Sequence, residues 1–169
     1  RVLFRSNFMI IRHILERANT AREAANLYMN EYSRTVSVNV TITDGREAFV
    51  LEAAPKTAEL RAPTNHVVFA ANHFVHPRMA NEAGHPDWRW PILSQYGQVA
   101  EGASPSKLGI NNIRSIVEQS GMESINIQAF ILDYRSKRFY YGVNPGKAIK
   151  GNLKYVDLVQ FLRSEEHTS

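Results

Sequence analysis

The chain has 169 residues, 44% of them hydrophobic, and carries 20 Lys and Arg against 16 Asp and Glu, a formal net charge of +4. That length and apolar content support a folded core rather than disorder, and the basic residues are scattered, without the aromatic-interleaved stripe that a phosphate backbone requires, so no nucleic-acid partner is expected. The absence of cysteine excludes disulfides, thiolate metal sites and a thiol nucleophile within the chain, and no apolar run reaches the ~20 residues of a membrane span, so no membrane partner is expected.

Both ends stand apart from the rest. Arg1 to Ser6 and Arg163 to Ser169 resemble translated sequencing-adapter DNA and are set aside from the fold. The expectation is one incomplete globular domain over residues 7–162, with its natural N-terminal part missing and its localisation open.

From Phe8 to Ala18, Ile10, Ile11, Ile14, Leu15 and Ala18 recur at helical spacing. Thr20 followed by Glu23 is a capping box opening a second helix through Ala24, Leu27, Tyr28 and Glu31, so residues 8–31 predict a helical hairpin. The period then changes to two. Val36, Val38, Val40 and Ile42 alternate with Ser37, Asn39, Thr41 and Thr43, Asp44-Gly45 turns the chain, and Ala48 to Glu52 returns, which predicts a hairpin over 36–52. A short strand over 57–61 and a stronger one over 66–71 extend this to a four-stranded antiparallel meander.

Residues 77–105 hold Gly and Pro among Trp88, Trp90 and Tyr96, the composition of a long connection packed by its own aromatics, with a short helix near 91–100. Ser104 or Ser106 caps the next helix, whose Leu108, Ile113, Ile116 and Val117 face the core and whose end is marked by Gly121. A second hairpin follows: a strand over 125–132, a turn over 133–137 with a charged tip, and a strand over 139–143, with one more strand over 153–158. The order of helices, strands, helix and strands reads as α+β, a mostly antiparallel sheet covered by helices.

For chemistry, Phe69 to Pro77 stands out because an apolar strand ends in Asn72, His73 and Phe74 before a proline. An Asn mounted on a strand end can direct its NH2 at a developing oxyanion. His66, His73, His76, His85 and Asp87 fit no standard zinc spacing, so no metal site and no cofactor is expected. Ser94, Ser104 and Ser106 lack a nucleophile elbow.

The order of these elements resembles the isopenicillin N acyltransferase and choloylglycine hydrolase family of cysteine N-terminal-nucleophile hydrolases. The resemblance rests on an alanine-rich second helix within Ile10 to Tyr28, a strand ending in Asp44-Gly45, a strand ending in Glu52, Ala71-Asn72-His73 where the family has Thr-Asn-His or Thr-Asn-Asn, and a closing hairpin from Ile127 to Val143 that leads into Asn144-Pro145. It implies an αββα fold, of which this chain is a part, and a parent enzyme that cleaves or transfers an acyl group at a linear non-peptide amide C–N bond. An N-terminal cysteine upstream of residue 7 would be the nucleophile, Asn72 an oxyanion donor, and His73 and Phe74 substrate contacts, with no cofactor. Two departures are Ala71 in place of Thr and the absence of Arg after Ser94, where Arg89 is the spatial substitute. The other class of function open to such a chain is a non-catalytic α+β binding or assembly module. A fragment of a layered sheet leaves an edge unpaired, so self-association of residues 7–162 is expected.

Overall fold

The computed structural model describes residues 7–64, 67–82, 84, 87, 89–94, 109–120, 128–143, 148–150 and 152–166. The chain divides into two compact units, residues 1–101 and 102–169.

In the first unit, helix α1 (Asn7–Arg17) and helix α2 (Ala21–Glu31) form the expected hairpin. Thr20 Oγ1 accepts the Glu23 N–H at 3.1 Å, whereas Glu23 returns its carboxylate to the N–H of Asn19 rather than of Thr20. The Ala21 N–H, another donor without an intrahelical partner, reaches Asp44 Oδ2 at 2.9 Å. That bond ties the start of α2 to the turn between strands β1 (Val38–Thr43) and β2 (Ala48–Ala53). Within the turn, Asp44 Oδ1 accepts the N–H groups of Arg46 and Glu47, and Gly45 takes a φ of 83°, a region closed to most side chains. Strand β3 (Ala58–Arg61) completes an antiparallel sheet in the order β1-β2-β3.

The register gives the sheet two chemically different faces. The pairs Val38↔Ala53↔Ala58 and Val40↔Leu51↔Leu60 face the helices, packing with Ile10, Ile14, Ala24 and Tyr28 into one apolar cluster. The opposite face carries the row Asn39↔Glu52↔Glu59, and Glu52 is completely buried. β2 is therefore buried on both faces, which is why its residues read as a nearly continuous apolar run broken by one carboxylate.

The strand expected over 66–71 does not form. Thr64 and Val67 exchange two 3.0 Å backbone bonds as an isolated antiparallel bridge, and the described residues that follow lack a strand ladder. Side chains supply partners that a neighbouring strand would have supplied: Arg61 Nη2 donates to Phe69 O at 2.9 Å, and Asn39 Nδ2 donates to Ala71 O at 2.6 Å. The sheet consequently has three strands, not four, and Asn72 lies in an irregular segment rather than at a strand terminus. A 3-10 helix over Pro77–Glu82 follows, with Met79 buried against Ala54 and Phe74.

The second unit opens with helix α3 (Ile110–Ser120). Ser104, Ser106, Leu108 and Gly121, to which the sequence assigned its caps and first core residue, lie outside the described residues. Strands β4 (Gln128–Asp133), β5 (Arg138–Val143) and β6 (Lys154–Asp157) form a second antiparallel sheet in that order. Ala129, Ile131 and Tyr140 on one face pack with Ile110, Ile113 and Val117 of α3. On the other face Phe130 stacks on Phe139 at 5.5 Å. The β4–β5 turn is closed by Asp133, which accepts from the Arg135 and Ser136 N–H groups, while Lys137 takes a φ of 55°. Helix α4 (Leu158–Glu166) runs on past residue 162. Both units are α+β, with helices on a small antiparallel sheet, consistent with an N-terminal-nucleophile-hydrolase-like α+β fold. No helix among the described residues is long and apolar enough to cross a membrane.

Two outcomes follow for stability. The backbone N–H groups at Asp44, that of Ala21 foremost, lower its carboxyl from 3.8 to about 2. Its contribution to stability is complete above the unfolded value and is lost as pH falls through the folded one. Asp44→Asn should therefore flatten the fall in urea midpoint over that acid window, and an unchanged profile would contradict the assignment. Glu52→Ala, which strands Arg61 and two N–H groups, should cost about 3–5 kcal/mol in urea unfolding. Glu52→Gln, keeping shape and an acceptor, should cost less, about 1–3 kcal/mol.

Candidate functional site

The polar face of the first sheet carries the segment that contains Asn72. Asn39 uses both amide hydrogens on it, donating to the carbonyls of Ala71 at 2.6 Å and His73 at 2.9 Å. Two strands further along the same row, Glu59 lies 3.9 Å from His76 Nε2 and 3.6 Å from Arg78. Between them the Glu52 carboxylate accepts the N–H of Val75, at 3.0 and 2.9 Å to its two oxygens, and the N–H of His76 at 2.9 Å. Arg61 Nε completes the Glu52 site at 2.5 Å. The row thus grips the main chain on both sides of residues 72–74, through its carbonyls at one end and its N–H groups at the other.

A second anchor reaches the segment from residues 87–90. Asp87 is 9% exposed, and its Oδ2 accepts the Asn72 N–H at 2.9 Å. Its Oδ1 accepts the N–H of Arg89 at 2.9 Å and Arg89 Nε at 2.8 Å, and Arg89 Nη2 closes the bidentate pair on Oδ2. These guanidinium bonds, more than any other contact, hold the Asp87 carboxyl far below the usual carboxylate range. The Asp87 N–H donates to His73 Nδ1 at 3.1 Å. Residues 89–94 are helical, as expected for the start of that region, and Trp90 there sets its ring edge-on to His73 with centroids 5.1 Å apart. Ser94 turns its hydroxyl back onto the carbonyls of Trp90 and Pro91.

Around these residues lies a cavity of about 590 Å³, bordered by Ser37 just before β1 and Asn39 within it, by Asn72 and His73, and by Glu82 and Arg89. Asn72 is exposed, and its side-chain amide has no partner among the described residues. It presents two N–H donors beside the cavity with its own backbone fixed, which is what stabilisation of a developing oxyanion requires of an amide. His73 and Phe74 also border the cavity but are largely buried. Phe74 packs on Ala54 and Met79, and the His73 ring is held by Asp87 and Trp90. Arg89 borders the cavity, with its guanidinium on Asp87.

His66 and His85 lie outside the described residues. His76 Nδ1 accepts the Arg78 N–H at 3.2 Å, and among the described residues no three His, Cys, Asp or Glu side chains converge as metal ligands.

Sequence reading found Asn72, His73 and Phe74 but not the residues that hold them, Asn39, Glu52 and Asp87. The available signal was a carboxylate inside the otherwise apolar Ala48–Ala53 strand. A charge at a fully buried strand position needs several partners, and those partners had to come from a neighbouring backbone.

No curated protein and no solved structure matches the chain. Residues 5–88 match the family model described as acyl-coenzyme A:6-aminopenicillanic acid acyl-transferase. The matched stretch contains helices α1 and α2, strands β1 to β3, the whole Asn39–Glu52–Glu59 row, Asn72 and Asp87, and it ends before the closing hairpin. This match supports the penicillin acyltransferase-like family for residues 5–88 and a function of the acyltransferase or hydrolase kind.

Proposed function

We propose that this chain is the oxyanion-stabilising part of a cysteine N-terminal-nucleophile enzyme that cleaves or transfers an acyl group at a linear, non-peptide amide C–N bond. The observation that carries this reading is Asn72, an exposed amide bordering a cavity, on a main chain fixed from both sides. The nucleophile is a cysteine on polypeptide preceding residue 7, its thiol proton accepted by its own α-amine.

In this mechanism the thiolate sulfur attacks the amide carbon, and the carbonyl electron pair moves onto oxygen. The Asn72 amide donates to that oxyanion more strongly than to the ground-state carbonyl, which lowers the barrier. The C–N bond then breaks, the leaving amine takes up the proton held by the α-ammonium, and an S-acyl enzyme remains. Water resolves it to a carboxylic acid, or an acceptor amine resolves it to a new amide. The family description couples an acyl thioester to an amine acceptor, and the same acyl-enzyme serves both outcomes. Phe74 and the His73 ring form the wall against which the acyl portion rests.

The test uses the full-length protein with its cysteine-bearing segment. Asn72→Ala should lower turnover of a linear amide by about 10²–10³-fold while leaving the urea midpoint close to wild type, because the side chain is exposed. Undiminished turnover would remove Asn72 from the chemistry, and an upstream segment without cysteine would overturn the reading as a whole.

A further inference from the structure

We infer that Asp87 is a positioning residue that holds Asn72 and His73 as one unit at the cavity and keeps the neutral His73 ring protonated at Nε2. The inference deepens the acyl-transfer reading and rests on it for its catalytic consequence.

Asp87 is suited to this by its number of bonds. Its carboxylate accepts from the Asn72 N–H, the Arg89 N–H and the Arg89 guanidinium, and its own N–H donates to His73 Nδ1. Its carbonyl accepts the Trp90 N–H at 2.9 Å, and the Trp90 ring lies against both His73 and Phe69. Two consecutive residues at the cavity are thus tied to one carboxylate residue that is itself nine-tenths buried.

The tautomer follows from the direction of one bond. A backbone N–H can only donate, so Nδ1 must accept, and the proton of a neutral ring sits on Nε2. His73 borders the cavity, and its Nε2 has no partner among the described residues. Asp87 therefore sets two things at once: the backbone position from which the Asn72 amide projects, and the donor character of the imidazole beside it.

Arg89 is needed for the carboxylate to do this. A lone carboxylate this buried would be strongly disfavoured as an ion, and the bidentate guanidinium keeps it charged and oriented. On this account Arg89 supports the site through Asp87, and its guanidinium is not required to touch substrate.

The experiment has two independent readouts. In the 169-residue chain, nitrogen-15 NMR of His73 at a pH where the ring is neutral should show an unprotonated Nδ1 and a protonated Nε2. Asp87→Ala keeps the backbone N–H that donates to Nδ1 but removes the carboxylate bonds that hold that backbone in place, so the ring should move toward an average of the two tautomers, and Asp87→Asn, which keeps one acceptor oxygen, should fall between. Unchanged backbone dispersion in Asp87→Asn controls for misfolding. A wild-type ring protonated at Nδ1, or a tautomer indifferent to both substitutions, would overturn the inference. In the full-length enzyme, Asp87→Ala should lower kcat by about a hundredfold with KM nearly unchanged, the signature of a displaced transition-state donor. Asn72→Ala is the reference: if it lowers kcat and Asp87→Ala does not, the positioning role is wrong. If Asn72→Ala itself leaves kcat intact, the oxyanion reading fails, and the NMR result still decides whether Asp87 holds the two residues.

Discussion

A single row of polar side chains across a three-stranded sheet, Asn39, Glu52 and Glu59, organises everything near the candidate site. The helix-facing side of the same sheet is an ordinary apolar core. Because side chains alternate strictly along a strand, a slip of one residue would drive the carboxylates into the helices and turn Val40, Leu51 and Leu60 away from them. Core and row therefore enforce the same register. The fold follows from the core, and the placement of residues 71–78 follows from the row.

The energetics of the row favour specificity over stability. Glu52 and Arg61 bury charge whose desolvation offsets much of their attraction, and replacing such a pair by apolar residues is often neutral or stabilising. Asn39 Oδ1 is also buried with no partner among the described residues, a desolvation cost of about 1–3 kcal/mol. What the row secures is one main-chain path. Without its carbonyl and N–H partners, a segment as apolar as Val67-Val68-Phe69 would be free to extend the sheet. With them, the segment leaves the sheet and brings Asn72 to the cavity. Asp87 then adds a second attachment from the opposite direction in sequence, so the exposed amide sits between two anchors.

The sequence makes the local elements legible because each is dictated by near neighbours. The helical hairpin follows from the three- and four-residue spacing of Ile10 and Ile14 and from the Thr20 cap. The first strand pair follows from strict alternation over residues 36–43, the Asp44-Gly45 turn and the apolar run that returns from it. The family resemblance rests on the order of those same elements. The strand expected over 66–71 shows the limit: its composition is that of a strand, yet pairing depends on what competes for its backbone groups. Here the competitors are the side chains of Arg61, just ahead of the segment, and of Asn39, distant from it in sequence. Asn72 is legible as a residue type in a suggestive place, while its support is not, since Glu52 and Asp87 gain their roles only when strands and loops converge. The Glu23 cap is a smaller instance, reaching Asn19 where the motif alone assigns Thr20.

The placement of Asn72 depends on the Glu52 carboxylate holding the main chain of the segment that follows it, and native-state hydrogen exchange at two amides tests that most directly. The N–H groups of Val75 and His76 lie in an irregular segment, yet the structure gives both a buried charged acceptor. Their exchange should be slow, with opening free energies approaching that of global unfolding and matching those of β2. Exchange as fast as in an unstructured loop, with the β2 amides still protected, would mean the row does not grip the segment, and the placement of Asn72 would lose its physical basis.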